Sequence, residues 1–135
     1  MRTAVLLCAG VSQRFWPYNE VRNKVAIPVM NRPNVRHLAE SLITCGIERL
    51  IVVVGAFEAS VRSALHGLSV PVAYIRQNPA SGTADAVLSA LPLVGEEPFL
   101  VVYGDVATPA DTFRQLIQAH QASEAIASVV CQPYL

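Results

Sequence analysis

The stretch TAVLLCAGVSQR at residues 3–14 determines how the rest of the chain is interpreted. Its apolar run stops at Ala9-Gly10, and polar residues follow. This pattern predicts a buried first strand over residues 3–8 that delivers a loop to its carboxyl end. Small residues let a backbone approach a ligand closely, and successive N–H groups in such turns bind anions.

Two cations accompany the loop, the guanidinium of Arg14 and the ammonium of Lys24, which is the only lysine in the chain. Residues 1–40 carry six basic and two acidic side chains, a net charge of +4, although the whole chain is neutral. Positive charge is thus concentrated where a phosphate ligand would bind. The sequence favours a polyphosphate site here, with an ordinary surface loop as the alternative.

Length and composition narrow the class of protein. A chain of 135 residues with 53% hydrophobic and 15% charged residues fits one compact domain, or part of one. No apolar run approaches the roughly 18 residues of a membrane helix, and no signal peptide is expected. An odd number of widely spaced cysteines predicts reduced thiols and a cytoplasmic location. Zero net charge gives no case for binding nucleic acid or membranes.

Strands and helices alternate along the chain. Strands are predicted over residues 3–8, 50–55, 70–75, 99–103 and 125–131, and helices over residues 33–46, 58–66, 84–91 and 109–121. Gly46 is predicted as a left-handed helix end, Thr83 and Thr108 as caps, and Pro92 as the residue following the third helix. The alternation predicts an α/β fold: a mostly parallel, doubly wound, Rossmann-like sheet with helices on both faces.

Further candidate residues follow the third and fourth predicted strands, at the edge where ligands of such sheets bind. The amide of Gln77 can pair with a base edge, and N–H groups at Gly82 and Thr83 suit a base carbonyl or a ribose oxygen. Asp105, directly after Gly104, is a candidate Mg²⁺ ligand. An ordinary strand-to-helix loop and an ordinary turn are the respective alternatives.

Together these segments resemble the sugar-1-phosphate nucleotidyltransferases. LCAGVSQR at residues 7–14 and NKVAIPV at residues 23–29 are similar to that family's L-A-A-G-x-G-T-R and P-K-x-x-x-P-V signature. Gln77 with GTA at residues 82–84 resembles its Q-x4-G-T-A segment, and YGDV at residues 103–106 resembles its G-D metal motif. The resemblance covers nearly the whole chain in the right order. The chain also resembles the uridylyltransferase domain that makes UDP-N-acetylglucosamine, where a Y-G-D-V run occurs as well.

The resemblance implies an enzyme that joins an NTP, UTP or dTTP, to a sugar 1-phosphate with Mg²⁺ and releases pyrophosphate. The implied nucleotide-binding residues are Leu7, Ala9, Gly10, Arg14, Lys24, Gln77, Gly82, Thr83 and Gly104. Arg14 and Lys24 would hold the triphosphate and stabilise the leaving pyrophosphate, and Asp105 would hold the metal. NTP and sugar 1-phosphate are the implied partners.

Three positions depart from the family pattern: Ser12, Gln13 and Asn23 replace glycine, threonine and proline. Family members also continue further and supply a second metal-binding Asp, whereas only Asp111 and Glu124 follow Asp105 here. The chain is therefore expected to be the N-terminal, nucleotide-binding part of a catalytic domain, truncated at residue 135. A half-domain would expose a sheet edge that self-association could cover.

Other functions remain to be weighed. A nucleotide-binding module without catalysis is the main alternative, because the second Asp is absent. A related transferase acting on methylerythritol phosphate or molybdopterin would share the opening loop, but Gln77 argues against it. A dinucleotide dehydrogenase is poorly supported, because residues 10–15 lack two of the three glycines of G-x-G-x-x-G.

Overall fold

The chain folds as a parallel sheet flanked by helices. The structure is a computed structural model that describes residues 1–10, 13–77, 79 and 81–131. Its strands are β1 (Thr3–Cys8), β2 (Pro28–Val29), β3 (Arg32–Pro33), β4 (Arg49–Val54), β5 (Val72–Arg76) and β6 (Phe99–Tyr103). Its α-helices are α1 (Asn34–Thr44), α2 (Glu58–Ala64), α3 (Thr83–Val94) and α4 (Ala110–Gln121). The main sheet has the order β5-β4-β1-β6, with all neighbours parallel.

Helices cover both faces of this sheet, as predicted. Side chains alternate along a strand, so β1 sends Leu6 to one face and Val5 to the other. The first face packs against α1, α2 and α4, and the second packs against α3. Because β1 is buried and paired on both edges, it holds the next residues, Ala9 and Gly10, at the carboxyl edge of the sheet.

A small hairpin between the opening loop and α1 was absent from the sequence prediction. Strands β2 and β3 pair antiparallel across Met30 and Asn31, whose φ angles are 50° and 63°. Two successive positive φ values match the turn type that suits two-residue hairpins, and Asn is among the residues that tolerate it. Strands of two residues are too short to show a periodic pattern, so they could not be predicted from hydrophobic periodicity.

Several predicted helix ends were wrong. Helix α3 continues through Pro92 to Val94, because a proline in the last turn costs a single late hydrogen bond. Its first residue is Thr83, preceded by Gly82 at φ 102°, so Thr83 does not cap it. Helix α4 begins at Ala110 without a side-chain cap, which overturns the capping role of Thr108. Gly46, with φ 92°, does adopt the left-handed conformation predicted after α1.

The predicted fifth strand does not form. Residues 125–131 have no regular secondary structure, and Ile126 and Val129 are exposed. A β-branched composition makes a strand only where a hydrogen-bonding neighbour is available. The segment contacts the end of α4 through Ser128 Oγ, which lies 3.0 Å from His120 Nδ1.

None of the helices in the described part of the chain is long and apolar enough to span a membrane.

Candidate nucleotide site

A cleft of about 380 Å³ lies outside the carboxyl ends of β1, β5 and β6. Its lining residues are Leu7, Cys8, Ala9, Gly10, Asn23, Lys24, Val25, Gln77, Gly82, Thr83, Ala86, Tyr103 and Asp105. Eight of the residues singled out in the sequence are therefore brought together: Leu7, Ala9, Gly10, Lys24, Gln77, Gly82, Thr83 and Asp105. This is the edge at which ligands of doubly wound sheets bind.

Glycines hold the walls of the cleft close together. Gly104 does not line it but lies behind it, donating its N–H to Leu7 O at 3.0 Å. A Cβ at this position would lie 2.5 Å from Cys8 Sγ. Gly55, after β4, is equally restricted, since its Cβ would lie 2.7 Å from Ala9 O. Gly104 thus serves close packing in this structure, and its predicted contact with a nucleotide remains a prediction.

Asn23, which departs from the family pattern, joins the lysine segment to the end of β1 and to the residues that follow β4. It is 2% exposed, and its Nδ2 donates to Cys8 O at 2.9 Å, with Ala56 O and Gly10 O at 3.3 and 3.4 Å. Its Oδ1 accepts from Val25 N at 3.2 Å. Proline could make none of these side-chain bonds. The signal that sequence reasoning missed was a polar residue directly before the only lysine.

Lys24 and Asp105 form an ion pair within the lining of the cleft. Lys24 Nζ lies 2.5 Å from Asp105 Oδ2, and the two side chains are 27% and 41% exposed. Lys24 sits on a short 3-10 helix begun by Asn23, whereas Asp105 follows β6 directly. The pair is accessible to solvent, so it contributes little to stability. Both groups remain available to exchange partners with a charged ligand.

The cleft offers a divalent cation one carboxylate. Asp105 is the only Asp or Glu among its lining residues, and no group of three or more His, Cys, Asp or Glu suited to a metal occurs in the described ranges. A cage made wholly of protein ligands is not present there. Mg²⁺ commonly binds through one or two carboxylates together with substrate phosphates. Asp105 fits that mode, with phosphate oxygens completing the ligand set.

Gln77, another lining residue, is 6% exposed and hydrogen-bonded to the start of α3. Its Nε2 donates to Asp85 Oδ2 at 2.8 Å and to Gly82 O at 3.1 Å. Tyr103 also lines this part, with its hydroxyl 3.4 Å from Thr83 Oγ1. Asp85 and Tyr103 were not identified from the sequence, because their partners lie 8 and 20 positions away.

Arg14 is not among the residues that line the cleft. It belongs to a 3-10 helix, Gln13–Phe15, on the exposed opening loop. Of the six cations in residues 1–40, Lys24 alone lines the cleft. Arg32 and Arg36 instead pair with Glu40, each at 3.0 Å. The predicted contact of Arg14 with a triphosphate therefore remains a prediction.

Cys8 forms an inert part of the wall. Burial, and secondarily the negative charge of Asp105, raise the pKa of its thiol from 9.0 to about 12. The thiol stays protonated at neutral pH, and nucleophilic chemistry needs the thiolate. Cys8 therefore acts as a small apolar side chain beneath the loop.

Comparisons with known proteins indicate one family of nucleotidyltransferases. The sequence profile of the MobA-like NTP transferase domain matches residues 4–134. The bifunctional protein GlmU of Cupriavidus metallidurans is 39% identical over 117 residues, 85% of this chain and 25% of that protein. UTP–glucose-1-phosphate uridylyltransferase 2 of Streptococcus pyogenes serotype M3 is 27% identical over 128 residues, 78% of this chain and 43% of that protein. The chain spans less than half the length of either relative.

Solved structures show the same fold. The UTP-bound UGPase of Acinetobacter baumannii superposes with a TM-score of 0.78 at 24% identity, covering 93% of this chain and 54% of that one. A Bacillus anthracis protein provisionally assigned as a glucose-1-phosphate thymidylyltransferase gives a TM-score of 0.83 at 24% identity, covering 92% and 52%. The predicted Rossmann-like α/β architecture is confirmed.

Proposed function

The chain belongs to the MobA-like NTP transferase domain family, and we propose that it forms the nucleotide-binding part of a sugar-1-phosphate nucleotidyltransferase. The relatives named for sugar-1-phosphate uridylyl transfer and the UTP-bound structure support this choice of substrates. The proposed nucleotide is UTP or dTTP.

One observation carries the proposal: a Lys–Asp pair and a buried amide at a helix start share a single cleft. Lys24 and Asp105 offer opposite charges within 2.5 Å, which suits a polyphosphate with its metal. Gln77 and the first turn of α3 offer hydrogen-bonding groups to a base. Ala9 and Gly10, which follow β1, line the same cleft, and their backbone would contact the ribose.

The proposed reaction needs no covalent enzyme intermediate. An oxygen of the sugar phosphate attacks the α-phosphorus of the NTP, a new P–O bond forms, and the bond to the β-phosphate breaks with release of pyrophosphate. Lys24 would leave Asp105 for the phosphates and offset the charge of the leaving group. Asp105 would then be free to hold Mg²⁺, which when bound supplies Lewis-acid stabilisation of the phosphoryl oxygens.

The test is pyrophosphate release from UTP or dTTP with Mg²⁺ and glucose 1-phosphate or N-acetylglucosamine 1-phosphate. Release that requires the sugar phosphate, and that Lys24→Gln lowers by at least tenfold, would support the proposal. Arg114→Gln is the matched control, because it removes an exposed cation on α4 outside the cleft. Release that Lys24→Gln leaves unchanged would refute the assigned role.

A nucleotide-binding module without catalysis is the second candidate. It is favoured by the single carboxylate in the cleft, where the resemblance leads us to expect a second metal-binding Asp. Tight UTP binding without pyrophosphate release would support this alternative. Pyrophosphate release by the chain alone would exclude it.

A further inference from the structure

The hydrogen bonds around Gln77 determine which way its side-chain amide is turned. Nε2 lies 2.8 Å from Asp85 Oδ2 and 3.1 Å from Gly82 O. A carboxylate and a carbonyl only accept hydrogen bonds, so both neighbours require the NH₂ group on that side. Turning the amide over would place Oε1 against two acceptors in a site where Gln77 is 6% exposed.

Both N–H donors of Gln77 are consequently used within the protein. Within the described part of the chain, its Oε1 accepts no hydrogen bond. Towards a ligand in the cleft, Gln77 is therefore an acceptor only. A free glutamine would adapt to either kind of base edge, but this one cannot.

We propose that Asp85 is a positioning residue that makes the site selective for bases with a protonated ring nitrogen. This inference rests on the proposed function. With a base carbonyl on the first-turn N–H groups of α3, the neighbouring ring nitrogen faces Gln77. Uracil and thymine present N3–H there and can donate to Oε1. Cytosine presents a lone pair at the same position, which repels Oε1.

Asp85 has this influence because of where the helix begins. It is the third residue of α3, so its carboxylate lies near the helix N-terminus, where negative charge is favourable. Gly82 O is likewise fixed, since it accepts the Ala86 N–H at 3.1 Å. The two acceptors that orient Gln77 are thus parts of one rigid helix start.

Binding of UTP and CTP, each with Mg²⁺, to the full chain by titration calorimetry tests the inference. The unsubstituted protein should bind UTP about 10- to 100-fold more tightly than CTP, the range expected when buried polar groups are mismatched. In Asp85→Asn the preference should fall by about threefold or more, mainly through tighter CTP binding, because residue 85 could then donate to a reversed amide and only Gly82 O would still oppose it. UTP should weaken by only about twofold.

Asp111→Asn is the matched control, because it makes the same change in the first turn of α4. It should leave the preference intact. Should Asp85→Asn not fold, Asp85→Ser serves in its place, since a hydroxyl also donates and accepts. In either Asp85 variant, the side-chain ¹⁵N–¹H NMR signals of Gln77 should shift even without a ligand. A general loosening of α3 would shift the signals of many residues and not those of Gln77 alone.

The outcomes separate this inference from the proposed function. If the unsubstituted protein binds neither nucleotide, the proposed function fails and the inference fails with it. If it binds UTP and CTP equally, or if Asp85→Asn keeps the full preference for UTP, only the role of Asp85 is refuted.

Discussion

Replacing Asn23 by alanine should both destabilise the chain and weaken nucleotide binding. The amide has two N–H donors for three carbonyls, at 2.9, 3.3 and 3.4 Å, so it makes at most two full bonds to them. A third bond comes from the Val25 N–H at 3.2 Å. At about 1 kcal/mol each, and with the buried Cys8 O and Val25 N–H losing this partner, the free energy of unfolding should fall by about 2–4 kcal/mol.

Urea denaturation followed by circular dichroism measures this loss directly. Asn34→Ala is the matched control, because Asn34 Nδ2 makes one long bond, 3.4 Å to Val106 O. It should cost less than about 1 kcal/mol. The folded fraction of Asn23→Ala should also bind UTP more weakly than the unsubstituted protein does, because Asn23 positions the adjacent Lys24. A loss of stability below about 0.5 kcal/mol for Asn23→Ala would refute the conclusion that Asn23 joins the lysine segment to the ends of β1 and β4.

Two further predictions concern the packing behind the cleft. Gly104→Ala should lower the free energy of unfolding in urea by about 1–3 kcal/mol, because its Cβ would lie 2.5 Å from Cys8 Sγ. A smaller loss when Cys8 is also replaced by alanine would confirm this contact. Equal losses with and without Cys8→Ala would contradict it. Because folding raises the pKa of Cys8 from 9.0 to about 12, its contribution to stability is complete below pH 9 and declines between pH 9 and 12, by about 1.4 kcal/mol per unit. Cys8→Ala should show a shallower decline over that interval; identical pH profiles would contradict the assigned shift.

The central sheet could be predicted because its signals are local. Strands β1 and β6 begin and end as predicted, since buried parallel strands appear as continuous apolar runs between polar turns. The strand predicted over residues 125–131 has a similar composition but does not form. Composition shows that a segment is compatible with a strand, whereas formation also depends on an available neighbour.

The site was predictable as a set of segments but not as a set of contacts. The expected residues on β1, the lysine segment, the start of α3 and the end of β6 converge, because parallel strands end at one edge. Asn23 and Asp85 were missed because their roles depend on partners up to 33 positions away. Arg14, by contrast, lies outside the cleft lining, so its contact with a triphosphate stays a prediction.

The most direct test of a phosphate-binding role for the cleft compares UTP with uridine as ligands of Lys24→Ala and the unsubstituted protein. The Lys24 ammonium pairs with Asp105, whereas the Gln77 amide is bonded to Asp85 and Gly82, so loss of Lys24 should affect mainly phosphate binding. Titration calorimetry with Mg²⁺ should show UTP weakened by about 10- to 100-fold and uridine changed by less than about twofold. Equal losses for both ligands would contradict the account, because they would make Lys24 a structural residue.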